Sequence, residues 1–325
     1  MNTQSNAMPE SSRDSQRKDS QRKDSQIDES QVIVPADISA TQRLYWSVRR
    51  ELWEYRSIYV APLAVAALFL FGFLISTIRL PAKMRALAAL DPAKQHAAIN
   101  TPYDVASGLI MATTLIVAVF YCLDALHGER RDRSILFWKS LPVSDLTTVL
   151  SKASIPIVVL PLLTCAIIFA THWIMLLLST VVLLGSGQSV ATLWKQLALI
   201  QMWVMLLYHL LTVHGLAFAP FFGWLLLVSG WARRAAFLWA ALPLVAIGVV
   251  EKIAFNTSYF AAMLENRLGG GADSSPFTSG SVSMDPLMHL RLGQFLSSSG
   301  LWIGLVVFAA FLAAAVRLRR YQGPI

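Results

Sequence analysis

The residues in this chain that could do chemistry are three histidines inside long apolar segments, His172, His209 and His214. Ionisable groups are costly to bury in a membrane, so they often mark proton, ion or substrate sites. A proton relay or a metal site needs partner residues, but the same segments contain no carboxylate. His209 and His214 are five residues apart, which predicts that their rings point to different faces of a helix. We therefore expect neutral histidines that hydrogen-bond between neighbouring helices.

Sequence motifs for enzymatic chemistry are missing from the chain. It contains no GxxxxGK[ST], GxSxG, HExxH or CxxC, the patterns that cradle phosphates, activate a serine or hold a catalytic metal. Cys122 and Cys165 both lie in apolar runs and suit neither a disulfide framework nor a zinc site. We expect a protein that is not an enzyme and holds no cofactor, so any ATP chemistry must come from another chain.

The elements that must position the histidines are membrane-spanning helices. The chain is 55% hydrophobic and 14% charged, with a mean hydropathy of +0.54, whereas soluble domains carry about 25% charged residues. A helix crosses a bilayer with about 20 apolar residues. The sequence therefore predicts an all-α polytopic protein whose six-helix membrane domain covers 57–320. The six predicted spans are Ser57–Thr77, 105–123, 153–184, 197–231, 235–250 and 301–316.

Two segments precede the first span. Residues 1–37 form a polar tail that carries the repeat DSQRK-DSQRK-DSQ, and this composition predicts disorder. Residues 38–56 have apolar positions spaced by four and three, which predicts an amphipathic helix lying in the membrane interface. A plain extension of the first span is the alternative. The apolar positions of this segment are Leu44, Val48, Leu52 and Tyr55.

The distribution of Lys and Arg predicts the orientation in the membrane. With both termini in the cytoplasm, fourteen basic residues flank the inner ends of the spans and eight flank the outer ends. The net charge of +8 is thus a topology signal and not a sign of nucleic-acid binding. The segment 197–231 is long enough for a hairpin, but a hairpin would move Arg233 and Arg234 outside. We therefore expect one broken helix there, and a long outer loop at 253–298.

The predicted cytoplasmic loop at 124–152 combines many charges with an apolar run. Ser144 can cap a new helix, and Asp145 stands favourably at the positive end of that helix. Pro142 ends the turn before it. A loop that only sets topology needs Lys and Arg, but not the four consecutive apolar residues of 135–138. Such a run suggests a partner surface or an interfacial helix.

This loop resembles the first cytoplasmic loop of ABC-2 type transporter permeases. In that family the second span ends in a Glu-rich turn, followed by Gly-Thr, an apolar helix and a Leu-Pro-x-Ser turn. The sequence departs from the family at Arg133, where Gly is common. The resemblance implies that the loop contacts a nucleotide-binding subunit, and it covers about 43–320. The loop residues that it assigns to this coupling role are Glu129, Asp132, Ser134, Phe137, Trp138, Leu141, Pro142, Ser144 and Asp145.

The same resemblance implies a permease subunit of an ABC transporter in the bacterial inner membrane. Its expected partners are a separate ABC ATPase that binds the ATP, a second permease subunit, identical or related, and the lipid bilayer. Family likeness favours export. Two other classes stay open: an ion-coupled secondary transporter, which would need carboxylates inside the spans, and a non-transporting membrane scaffold.

We predict that reporter fusions will place both ends of the membrane domain in the cytoplasm. A reporter that works only in the cytoplasm should be active when it is fused after Gln322. A reporter that works only on the outer side should be active when it is inserted within 269–281. The Lys and Arg bias favours this orientation. A fusion after Gln322 that reports the outer side would contradict the six-span topology.

Overall fold

In the computed structural model of the chain, the described residues are 39–87, 89–140, 143–197, 199–268 and 297–323. The predictions for the tail 1–37, for Leu141 and Pro142, and for most of the loop 253–298 lie outside them. The chain divides into two compact units, Met1–Gln42 and Arg43–Ile325. In the first unit the backbone N–H of Ser39 bonds to the Gln42 side chain, and the N–H of Gln42 bonds to the Ser39 hydroxyl. The features below belong to the second unit.

The described residues form α-helices and two π-helical segments, and they contain no β-strand, which confirms the all-α prediction. The π-helical segments are Ile155–Val159 and Leu210–Ala217. The α-helices are α1 Ala40–Glu54, α2 Ser57–Thr77, α3 Leu80–Leu87, α4 Pro92–Asp124, α5 His127–Arg131, α6 Ser134–Ser140, α7 Asp145–Ser154, α8 Leu160–Gly185, α9 Ala191–Gln196, α10 Leu199–His209, α11 Ala219–Trp231, α12 Ala236–Phe255, α13 Tyr259–Leu268 and α14 Ser299–Tyr321.

Six helical stretches of the described chain are long and apolar enough to cross a membrane, as predicted. Two are much longer than their apolar segments, because polar helix-forming residues extend them. α4 starts at Pro92, and α7 continues through the first π-helical segment into α8. The six stretches are Ser57–Thr77, Pro92–Arg131, Asp145–Gly185, Leu193–Ala217, Ala236–Phe255 and Ser299–Tyr321.

The helices run up and down, so one end of the bundle collects α1, α5, α6 and the end of α14. We call it the basic end, because the three cations that surround Glu129 lie there. The predicted helix before the first span is confirmed as α1, and its position in a membrane interface stays a prediction. Val48 and Leu52 of α1, and Tyr55 directly after it, pack against the large core cluster at this end, as their spacing predicts.

The segment 197–231 follows one broken path. α10 packs against α8, and Leu199 joins a core cluster with Leu183 at the end opposite the basic end. α11 packs against α4 and α14, and Leu226 joins Leu126 at the basic end. The two halves of a hairpin would lie side by side, and these halves do not. The expected broken helix is therefore what the described residues form.

The His172 side chain on α8 hydrogen-bonds to residues of α4 and α10, as expected for a structural histidine. The indole N–H of Trp203 on α10 donates to its Nδ1 atom at 3.2 Å. Its Nε2 atom lies 3.2 Å from the backbone carbonyl of Tyr103 and 3.1 Å from the Ser107 hydroxyl, both on α4. With Nδ1 accepting, Nε2 carries the proton and donates it to the Tyr103 carbonyl. The ring is fully buried, so these bonds replace its contacts with water.

The prediction that His209 and His214 face different sides is wrong. Their ring centroids lie 5.3 Å apart, because residues 210–217 form a π-helix and not an α-helix. A π-helix closes its hydrogen bonds between residues five apart, which brings residues with this spacing onto one face. Nδ1 of His214 is buried without a hydrogen-bond partner among the described residues.

The two π-helical segments cross in direct backbone contact at Gly215. A Cβ atom placed on Gly215 would lie only 2.9 Å from the carbonyl oxygen of Ile157. The close approach therefore requires glycine, and it fixes how the third and fourth spans cross.

We expect Gly215→Ala to destabilise the folded protein, because backbone would have to move to admit the methyl group. Overpacking of this kind typically costs about 1–3 kcal/mol. Gly72→Ala is the matched control, since a Cβ at Gly72 meets nothing within 4 Å. The measurement is the temperature at which the purified protein in detergent loses its monodisperse chromatographic peak. Equal temperatures for the two variants would contradict the proposed contact.

Candidate functional site

The most deeply buried charged groups of the described chain meet at the basic end. The ammonium of Lys152 on α7 is fully buried, and it lies 3.0 and 3.1 Å from the two carboxylate oxygens of Glu51 on α1. The same ammonium lies 3.1 Å from Oε1 of Glu129 on α5. Glu51 is fully buried and Glu129 is 2% exposed. One lysine thus joins two carboxylates that come from different parts of the chain.

Three further groups complete the arrangement. Arg50 on α1 bonds both Glu51, at 2.6 Å, and Glu129, at 3.3 Å. Arg319 near the end of α14 pairs with Glu129 through Nη1 and with Asp145 through Nε at 3.1 Å. We call these six residues, Arg50, Glu51, Glu129, Asp145, Lys152 and Arg319, the charge cluster. It contains three cations and three carboxylates, so its formal charge is balanced.

Local structure explains why each group points inward. Asp145, Val149 and Lys152 recur every three or four residues on α7, so they share one helical face. The Ser144 hydroxyl starts this helix by accepting the N–H of Thr147 at 3.1 Å, which confirms the predicted cap. The Tyr121 hydroxyl donates to Oε2 of Glu51 at 2.9 Å and satisfies its remaining acceptor. Buried charges are tolerated only when they are paired and hydrogen-bonded in this way.

Electrostatics keep the partly exposed Arg50 charged. Burial alone would lower the pKa of its guanidinium, but the carboxylates of Glu51, Glu129 and Glu54 raise it above the ordinary value. Burial raises the pKa of the neighbouring Glu54 carboxyl, and the negative charge of Glu51 adds to the shift. Arg50 therefore serves the cluster as a permanent cation.

The predicted coupling residues divide between the interior and the surface. Glu129, expected as a charged partner for an ATPase, is instead engaged inside this chain by three cations. Asp132 is exposed and lies 3.0 Å from the guanidinium of Arg131. The Ser134 hydroxyl reaches the backbone carbonyl of Glu129 at 3.4 Å. The charged surface of the loop is therefore carried by Asp132 and its neighbours and not by Glu129.

The four residues of the apolar run 135–138 differ in how far they are exposed. Ile135 is 1% exposed and packs inward, whereas Leu136 and Phe137 are 59% and 60% exposed. The ring of Trp138 lies beneath the guanidinium of Arg50, 3.9 Å from ring centroid to Cζ. α6 thus rests on the charge cluster through Trp138 and turns Leu136 and Phe137 outward.

The turn into α6 has an unusual backbone. Arg133 has a φ of 59°, the left-handed region that glycine enters without steric cost and other residues enter rarely. Its carbonyl accepts the N–H of Leu136 at 3.2 Å and starts the helix.

Backbone carbonyls hold the loop to two other helix ends. The guanidinium of Arg130 donates to the carbonyl of Gly230, just before the end of α11, at 2.6 Å, and to that of Gly323 at 3.3 Å. The Lys139 ammonium donates to the carbonyl of Gln322 at 3.1 Å. Gly323 and Gln322 directly follow α14, so this loop is fastened to the last helix by hydrogen bonds as well as by ion pairs.

Sequence reasoning located this loop but missed Glu51, Lys152 and Arg319 as its supports. Lys152 carried a usable signal, because it shares a helical face with Val149 at the start of an apolar segment.

The described residues contain no group of three or more His, Cys, Asp or Glu side chains that could hold a metal ion. Comparison with models of known protein families, with curated proteins and with solved structures finds no match for this chain.

We expect Lys152→Met to destabilise the protein strongly, because it leaves Glu51 and Glu129 buried with too little positive charge. Breaking a buried ion pair by removing one partner costs about 3–5 kcal/mol. Arg131→Met removes an exposed cation and should leave the thermal unfolding temperature unchanged. Adding Glu51→Gln to Lys152→Met rebalances the cluster and should recover part of the loss. Equal unfolding temperatures for Lys152→Met and Arg131→Met would show that the cluster does not support the fold.

Proposed function

We propose that this chain is the permease subunit of an ABC transporter and that α6 is the docking helix for a separate ATPase. The observation that carries the proposal is the exposed pair Leu136 and Phe137 on a short helix that rests on the charge cluster. Large apolar side chains that face outward next to a rigid, charged support suit insertion into a groove on another protein. The chain itself has no phosphate-binding loop, so the partner supplies ATP binding and hydrolysis.

The way in which α6 is mounted suits the transmission of force. α4 and α5 form one stretch that leads directly into α6. On its other side, α7 continues through Ile155–Val159 into α8, so two spans begin or end at this loop. The charge cluster and Trp138 tie the same loop to α1 and α14. A partner that shifts α6 would therefore move four elements together and not one loop alone.

The resemblance to ABC-2 permeases gains support from the backbone at Arg133. A glycine at this position would enter the left-handed region readily, and Arg133 adopts that same backbone conformation here. We further propose cytoplasmic termini, the bacterial inner membrane, pairing with a second permease subunit, and export, all on the strength of the same resemblance.

We expect the double substitution Leu136→Ala and Phe137→Ala to release the ATPase. Hot-spot side chains at interfaces each contribute about 2 kcal/mol or more, so losing two anchors should abolish stable association. The measurement is co-purification with a Walker-loop ATPase, sought first in the neighbouring reading frames, followed by ATP hydrolysis. Trp138 is left unchanged because it supports Arg50.

The matched control is Ile78→Ala with Leu90→Ala, which removes two exposed apolar side chains at the opposite end of the bundle. This control should keep its ATPase. Retention of the ATPase by the α6 variant at the level of the parent chain would overturn the docking assignment. A parent chain that co-purifies with no Walker-loop ATPase would overturn the transporter assignment itself.

A further inference from the structure

The outer face of α1 carries a stripe in which arginine and tryptophan alternate. Arg43, Trp46, Arg49, Trp53 and Arg56 follow each other at spacings of three, three, four and three. Such spacings keep the first four side chains on one side of α1, and Arg56 lies two residues beyond the end of that helix. We call these five residues the Arg–Trp stripe. It lies away from the face through which Val48 and Leu52 contact the core.

The aromatic members of the stripe hold its central cation in place. Trp46 and Trp53 are 56% and 70% exposed. The guanidinium carbon of Arg49 lies 5.1 Å from the centroid of each of these rings. Guanidinium groups stack on aromatic faces in this way and keep the N–H donors at their edges available. Arg49 is therefore a positioned hydrogen-bond donor at the surface.

Among the described residues, the cations of the stripe have no acidic partner. No carboxylate of the described residues lies within salt-bridge distance of Arg43, Arg49 or Arg56. The acidic residues of α1 serve another face, where Glu51 binds Lys152 and Glu54 lies 3.8 Å from Arg50. The stripe thus presents three positive charges between two exposed indole rings.

The position of the stripe at the start of the first apolar span indicates the kind of ligand that it binds. Arg56 directly precedes Ser57, the first residue of α2, where the first apolar span begins. Indole rings favour the boundary between hydrocarbon and headgroups, and guanidinium groups bind phosphate through paired hydrogen bonds. We infer that the Arg–Trp stripe is a binding site for anionic phospholipid headgroups. The site is independent of the proposed ATPase contact, which uses α6.

The test compares lipid binding by the full-length protein and by a variant with Arg43→Gln, Arg49→Gln and Arg56→Gln. The purified proteins are titrated with phosphatidylglycerol or with phosphatidylcholine of the same acyl chains, and bound lipid is counted by native mass spectrometry. The parent should prefer phosphatidylglycerol. Each basic side chain near an anionic surface strengthens binding roughly fivefold, so the variant should lose up to about 100-fold in affinity.

The matched control is Arg79→Gln, Lys83→Gln and Arg85→Gln, which removes three exposed cations at the opposite end and should keep the preference. Replacing Arg43, Arg49 and Arg56 by Lys preserves the charge and should retain most of the binding, which separates lost charge from lost folding. Equal loss in the control, or no loss in the stripe variant, overturns the proposal. Competition by soluble glycerol phosphate, or release of a bound ATPase with unchanged lipid binding, assigns the stripe to another ligand and also overturns it.

Discussion

The fully buried ammonium of Lys152 is the constraint on which the basic end of this protein depends. A charge removed from water is stable only if opposite charges and hydrogen bonds surround it. Here the required carboxylates come from α1 and α5, and the arginines that balance them come from α1 and α14. If one of these helices moved away alone, a buried charge would be exposed to water or left without its partner. The described residues of the loop between the second and third spans are therefore held firmly to the bundle.

This constraint also gives the surface its arrangement. Because Trp138 lies beneath Arg50, the orientation of α6 follows from the charge cluster. The exposed side chains on α6 and the Arg–Trp stripe on α1 consequently keep a fixed relation to one another. A protein bound to α6 and lipids bound to α1 would act on the same charge cluster, although they touch different faces.

The sequence predicts the spans and the helix start at Ser144 well, because hydropathy and capping act between residues that are close along the chain. It fails at the π-helical segments, because hydropathy is the same whether the backbone hydrogen bonds span four or five residues. For this reason the sequence placed His209 and His214 on different faces. It also fails for the interior of the site. Lys152 and Glu51 are 101 residues apart and Arg319 and Glu129 are 190 apart, and no local pattern connects such pairs.

The pairing of Arg319 with Glu129 has a consequence for the order of biosynthesis. Glu129 leaves the ribosome after the second span, whereas Arg319 appears only when the sixth has been made. In the interval the carboxylates at the basic end have only part of their compensating charge, so they stay hydrated and the helices around them stay loosely associated. Insertion into the membrane can proceed span by span, but closure of this end is a late event that waits for the last helix.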